Sequence, residues 1–321
     1  MTGTFRHDPV MHREVTGAFA SVPAGLLVDG TVGGAGHARA LLDARPDCSL
    51  LGLDRDAEAV AAATGALAPY GERVMVVHSG FEDLAEVLAG RALGVRGVPG
   101  SEMGVSGVLY DLGVSSPQLD RPERGFSYRT DAPLDMRMDR SQALSAREVV
   151  NDYEEAELAR VIARWGEERF ARAIARRIAA RRPLETTAEL AEVVRDAIPA
   201  PARRRGPHPA RRTFQAIRME VNAELDHLAA GLDAAFAALV PGGRLAVLSY
   251  HSLEDRMVKH RFVDWTSPPM LPRGLPLPPD LPPPPGVLVT RRALRPSATE
   301  IAANPRAESA RLRVVERRGQ P

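Results

Sequence analysis

The stretch that decides the fold runs from Leu26 to Leu42 and reads "LLVDGTVGGAGHARALL". A short apolar run ends at Asp29, a glycine-rich turn follows, and an amphipathic helix starts near Gly36. Glycines in such a turn supply unusual φ angles and let the backbone come close to a ligand. The pattern also sorts the ligands. A phosphate-cradling P-loop ends in Gly-Lys-Ser/Thr, and that ending is missing. A dinucleotide fingerprint would start at Gly34-Ala35-Gly36, but its third glycine falls on Arg39. Two readings survive: an adenosine pocket without a pyrophosphate grip, or a tight strand–helix turn with no ligand.

Outward from this unit the same alternation repeats. "SLLGLD" (49–54), "RVMVVHS" (73–79) and "GVSGVLYDLG" (104–113) are further apolar strands, the first two followed by helical patterns. This predicts a parallel sheet with helices on both faces. The alternation then stops. Between Pro133 and Arg212 no strand is expected; residues 154–182 and 186–198 carry helical spacing, the latter behind a threonine cap. A Pro/Arg linker (199–212) leads to a helix expected over Phe214–Leu239, a Pro-Gly-Gly turn and the strand "RLAVLSY" (244–250). After a helix from His251 and a proline-rich loop (268–286), "VLVTRR" (287–292) and "RLRVVER" (311–317) are two final strands. The expected architecture is an α/β open sheet of about seven strands. Its core is discontinuous, 1–132 with 213–321, and a helical insertion, 133–212, follows strand four.

The bulk properties narrow the class. No apolar run approaches the ~18–20 residues of a membrane span, and the N-terminus lacks a signal-peptide core. Cys48 is the only cysteine, so an internal disulfide is excluded and a reducing cytoplasm fits. Lys259 is the only lysine, so the abundance of arginine reflects usage across the whole chain and only its distribution informs. The eight histidines have no cysteine pairs beside them, and no metal site is expected.

Six features bear on chemistry. Gly34, Ala35 and Gly36, before His37, form the loop, which resembles the first motif of S-adenosylmethionine (SAM) methyltransferases in a degenerate form. Asp54, at the end of strand two, either accepts both ribose hydroxyls of an adenosine or caps the next helix. Phe81 lies either against an adenine ring or in the core. Asp111 ends strand four, where the sheet edge faces cofactor and substrate. An exocyclic amine on a base is a poor nucleophile because its lone pair is delocalised. An oxygen acceptor on its N–H localises that pair and aims it, a contribution of several kcal/mol. Carbon-5 methylation of a pyrimidine needs a cysteine nucleophile, and Cys48 is poorly placed for one. His251 is either a site residue or part of a helix start with a Ser252/Asp255 box. Arginines at 160, 164, 169, 172, 176, 177, 181 and 182, with five more in the linker, suit an RNA backbone or a solvated face.

Seven blocks then match one family in order. "HDPVMHREV", "DGTVGGAGH", "LDRD", "DLGVSSPQLDRPERGFSYRTDAPLDMRMD", "TFQAIRMEVNAEL", "PGGRLAVLSYHSLEDRMVK" and "NPRAESARLRVVER" resemble the small-subunit ribosomal RNA cytosine-N4 methyltransferases, the RsmH (MraW) family. The resemblance implies a Rossmann-like class I methyltransferase fold with SAM as cofactor. It implies N4-methylation of one cytidine in the decoding region of 16S rRNA, within the assembled small subunit. The family's cofactor contacts fall on Ala35, Gly36, His37, Asp54, Phe81, Asp111 and Gln118. Many relatives carry glycine where this chain has Ala35. Asp111 is the candidate catalytic group, and Ser115, Ser116, His251, Arg176 and Arg177 are candidate substrate contacts. Two rivals are a nicotinamide-dependent oxidoreductase, against which the missing third glycine and the "DLGVSSPQ" block speak, and a non-catalytic rRNA-binding assembly factor.

Overall fold

The computed structural model describes residues 9–91, 104–204, 208–268 and 282–319. Most of the proline-rich stretch (269–281) and Arg205 of the linker lie outside the described residues. The chain divides into two compact units, one of residues 1–113 with 227–321 and one of 114–226. The second unit thus starts directly after strand four, earlier than position 133, and extends past 212.

The first unit holds seven strands among the described residues: β1 (Leu26–Asp29), β2 (Ser49–Asp54), β3 (Val74–His78), β4 (Val105–Asp111), β5 (Leu239–Ser249), β6 (Gly286–Leu288) and β7 (Arg311–Arg317). Their order is β3-β2-β1-β4-β5-β7-β6. β1 to β5 run parallel, while β7 is antiparallel to both β5 and β6. The central strands are apolar along their length because both faces are covered: β4 is buried from Val105 to Tyr110. Gly107 lies where any Cβ would sit 2.6 Å from the Phe19 ring, so the helix His12–Ala18 and its capping residue Phe19 can press onto the sheet. Strand order reverses between β1 and β4, and ligands of open α/β sheets bind at that switch point, outside the carboxyl ends of the strands. Asp29, Asp54 and Asp111 are the last residues of β1, β2 and β4.

β2 and β7 span the stretches read from sequence, and β6 keeps only two residues, Val287 and Leu288, of the strand expected over 287–292. The helix expected over Phe214–Leu239 is two helices, Arg211–Val221 and Glu224–Ala238. Ala223 between them takes a left-handed φ of 46°.

The second unit is helical. Residues 154–182 form two helices, Glu155–Gly166 and Ala171–Ala179, separated at Glu167, whose φ is 48°. Gly166 permits the close crossing of Arg211–Val221, since a Cβ there would lie 2.7 Å from the Arg212 carbonyl oxygen. Leu158, Ile162, Ile174, Ile178, Leu190, Val194 and Ile217 form its core. Thr186 caps Thr187–Ala197 in a reciprocal box with Glu189, as its sequence signals.

Candidate active site

The glycine loop is strapped to the sheet from both sides. Gly30 N–H donates to Leu109 O and Val32 N–H to Leu53 O, each at 2.9 Å. Gly52 makes room for Val32, which a Cβ would meet at 2.9 Å. The helix Gly36–Ala44 then begins on Ala35 with no side-chain cap, so its first-turn N–H groups lack the usual side-chain acceptor. Ala35 has φ 62°, a region that favours glycine, and its methyl is fully buried in the core beside the loop. Burial of that methyl offsets the strain. Gly34 is exposed at the tip.

Asp54 faces the loop. Its Oδ2 accepts from Gly33 N–H and its Oδ1 from Asp56 N–H, both at 2.9 Å. Asp56, not Asp54, caps the helix Ala57–Leu67. That settles the choice of cap: each Asp54 oxygen keeps a second lone pair for a hydroxyl. Phe81 is half-buried. Its ring packs on Tyr110 with centroids 4.7 Å apart, and Tyr110 in turn donates to Gly231 O at 2.9 Å. Gly30 is the floor under this pair: a Cβ there would lie 2.6 Å from Tyr110 Cδ1 and 2.9 Å from Phe81 Cβ. Gly30→Ala should therefore destabilise the protein by about 1–3 kcal/mol, as overpacking does. Denaturant unfolding checks this, and an unchanged midpoint would contradict the placement.

Asp111 is held by two hydrogen bonds. Its backbone N–H donates to Thr31 Oγ1 at 2.6 Å, and its Oδ1 accepts from the Tyr250 hydroxyl at 2.7 Å. His37 Nε2 stands 3.6 Å from Oδ2. That approach is not an ion pair, because burial pulls His37 down to about 3 and the ring is neutral. Both ring nitrogens are buried without a hydrogen-bond partner among the described residues. Burial pushes the Asp111 carboxyl up to about 6, against the Tyr250 hydrogen bond, which lowers it. Asp29, buried beside it, is pushed up to about 7 by burial, with Asp111 and Asp54 adding to the rise. Three acids thus converge on one sheet edge, and burial raises all three. Such clustering is a mark of functional sites.

His251 caps the helix Ser252–Thr266 in a box with Glu254, one residue earlier than the Ser252/Asp255 pair. Its Nε2 lies 3.1 Å from Glu254 Oε1. His251 thus starts that helix, and its neighbour Tyr250 carries the contact to Asp111. Thr31 and Tyr250 are the two residues that motif reading missed. Both lie inside quoted blocks, but only folding brings them to β4.

The remaining candidates belong to the second unit. Gln118 is buried in the helix Ser116–Asp120, and its Oε1 accepts from Ser115 N–H at 3.0 Å. Arg176 and Arg177 are exposed on Ala171–Ala179, a helix with no acidic residue. Several other arginines serve the unit itself. Arg182 donates to the Val150 and Tyr153 carbonyls, Arg212 to Glu167 O, and Arg164 stacks over Trp165.

A loop, a β2 acid and a β4 acid in this arrangement fit a SAM-type cofactor. Residues 4–318 match the model of the MraW methylase family. The chain belongs to that family. Three relatives bear the name ribosomal RNA small subunit methyltransferase H. The protein from Symbiobacterium thermophilum is 50% identical, covering 97% of this chain and 96% of its own. That from Syntrophotalea carbinolica is 50% identical, covering 98% of each. That from Thermobifida fusca is 48% identical, covering 98% and 94%. The family member described here is a methyltransferase, and SAM is its cofactor. No helix among the described residues is long and apolar enough to cross a membrane.

The site's own atoms fit that cofactor. The unpartnered nitrogens of His37 and the uncapped helix start lie where the loop enters the helix, and the remaining lone pairs of Asp54 lie beside Gly33 in the loop.

Proposed function

We propose that this protein methylates N4 of a cytidine in the decoding region of 16S rRNA, within the assembled small subunit, and so works in the cytoplasm. The observation that carries the reading is Asp111: a half-buried carboxylate at the end of β4 with one oxygen bonded to Tyr250 and the other, Oδ2, without a hydrogen bond among the described residues. The small-subunit rRNA substrate comes from the relatives' name and the sequence blocks, and the N4 position from the blocks and the chemistry of Asp111.

Ala35, Gly36 and His37 would hold the cofactor's methionine end, Asp54 its ribose and Phe81 its adenine. When bound, the cofactor supplies an electrophilic methyl. Asp111 Oδ2 accepts a hydrogen bond from the cytidine amine, which localises the nitrogen lone pair and aims it. The amine gains a methyl and sheds one proton, and that proton goes to Oδ2. A carboxyl near 6 is ionised at neutral pH yet basic enough to take it. The cytidine leaves its stack to reach the sheet edge, as bases do for other enzymes that modify them.

The helix Ala171–Ala179 would grip the RNA backbone. It buries Ile174 and Ile178 and exposes Arg172, Arg176 and Arg177, with Arg181 beyond its end. Reversing the charge of Arg176, Arg177 and Arg181 should weaken RNA binding and flatten its salt dependence. The log–log slope should fall by roughly 0.7–0.9 for each phosphate that the helix no longer neutralises. A slope equal to wild type would reduce the cluster to a solvated face. The function itself is tested with methyl-labelled SAM and ribosomal subunits from a strain lacking the enzyme. Label should enter small-subunit RNA and not large-subunit RNA. Label in neither fraction would contradict the reading.

A further inference from the structure

We infer that Tyr250 is a positioning residue for methyl transfer, which holds Asp111 by one carboxylate oxygen and leaves the other for the substrate amine. The inference rests on the reading of Asp111 above and adds to it a residue that no motif assigns.

The geometry runs through a chain of fixed contacts. Glu254, three residues into the helix that His251 caps, accepts from Tyr250 N–H at 2.8 Å. This anchors the Tyr250 backbone as the chain leaves β5. The side chain then reaches across to β4, where its hydroxyl donates to Asp111 Oδ1 at 2.7 Å. Beyond Asp111 the chain turns at Gly113, whose φ is 93°, and a Cβ there would meet the Tyr250 ring at 3.7 Å. The ring therefore lies against the strand end that it holds. Thr31 accepts the Asp111 N–H, so backbone and side chain are fixed independently. Burial and the neighbouring Asp111 charge raise the phenol well above its ordinary value, so it stays a donor throughout the working pH range. With Oδ1 occupied, the carboxylate presents Oδ2. His37 stands there as a neutral ring and does not compete for it as a cation.

The groups facing this pair are few. Asp111 is faced by Tyr250 beyond β5, His37 on Gly36–Ala44, Asp29 on β1 and Glu254 on Ser252–Thr266. Glu300 also acts on Tyr250, and His12 on His37. Asp29, Glu254 and Glu300 are acidic, so among the described residues no fixed cation faces Asp111 and the Tyr250 hydrogen bond is the main favourable contact. Losing it should raise the titration midpoint of Asp111.

The test uses Tyr250→Phe, Asp111→Asn and the double variant in the full chain. Carbon-13 NMR of labelled aspartates follows the Asp111 carboxyl in the free protein, with the Asp111→Asn spectrum identifying its signal. The wild-type midpoint should lie near about 6. In Tyr250→Phe it should rise by roughly 1–2 units, the worth of one hydrogen bond to a charged group. Turnover of Tyr250→Phe at pH 7 should fall about 2- to 10-fold, in step with the measured shift, and recover as pH rises through the shifted midpoint, with SAM affinity within about 2-fold of wild type. Adding Tyr250→Phe to Asp111→Asn should cost no more than about 2-fold further, because residues that act as a unit are non-additive. An unmoved midpoint, or a full additional loss in the double variant, would overturn the inference. A midpoint that moves in a protein that labels no rRNA would overturn the substrate reading and leave the Tyr250–Asp111 coupling in place.

Discussion

Asp111→Asn should lower the turnover of methyl transfer about 100- to 1,000-fold, the range seen when one pre-organised hydrogen-bonding group is lost from an active site. The amide keeps the shape of the carboxyl but changes its chemistry. Its one oxygen is a weaker acceptor, and its NH2 cannot take a proton. If the oxygen keeps the Tyr250 hydroxyl, the NH2 faces the substrate amine and donor meets donor. SAM affinity should change far less than turnover, because the effect falls on the transition state. Stability should hold or increase. Asp111 has a folded-state value of about 6 against an ordinary 3.8. A raised carboxyl costs stability as pH rises through that window, and above it the whole cost is present. Replacing the carboxyl removes the cost at neutral pH. Chemical denaturation beside steady-state kinetics separates the two effects. Wild-type turnover in a folded Asp111→Asn protein would refute its role.

Asp54→Ala should weaken SAM binding by roughly 1–3 kcal/mol, the cost of leaving buried polar groups unpaired. That is about 5- to 150-fold in Kd. Two losses combine. The ribose hydroxyls would lose the acceptor proposed for them, and Gly33 N–H and Asp56 N–H would lose theirs. The second loss loosens the glycine loop. Asp56 still caps Ala57–Leu67, so the helix itself should persist. Titration calorimetry with SAM, with NAD run beside it, measures the effect. Unchanged SAM affinity would remove Asp54 from the site. Binding of NAD but not SAM by the wild type would return the chain to the oxidoreductase reading.

The sheet was legible because its strands are locally complete signals. "SLLGLD" and "RLRVVER" carry their own apolar runs, and both emerge as the strands β2 and β7. The breaks between helices were less legible because their causes are remote in sequence. Asn222, where the long helix ends, bonds Met138 N–H and Met136 O across more than 80 residues. Gly166 ends its helix where the backbone at Arg212 crosses it. Periodicity sees neither contact, so each pair of helices read as one. The site divides the same way. Asp54 and Asp111 announced themselves as acids at strand ends. Which acid caps the next helix could not be told from the spacing alone, and it is Asp56, two residues on, that takes the capping role. Tyr250 looked like the last apolar residue of a strand, and its hydroxyl finds Asp111 only when β5 lies beside β4.

The central claim is that Asp111 serves an exocyclic amine. The most direct measurement is mass spectrometry of nucleosides from small-subunit RNA labelled by this enzyme, with wild-type protein and Asp111→Asn run in parallel. N4-methylcytidine should carry the label from wild type, and the variant should leave it at background. Label on a ribose hydroxyl or a ring carbon, or N4-methylcytidine formed equally by both proteins, would contradict the account.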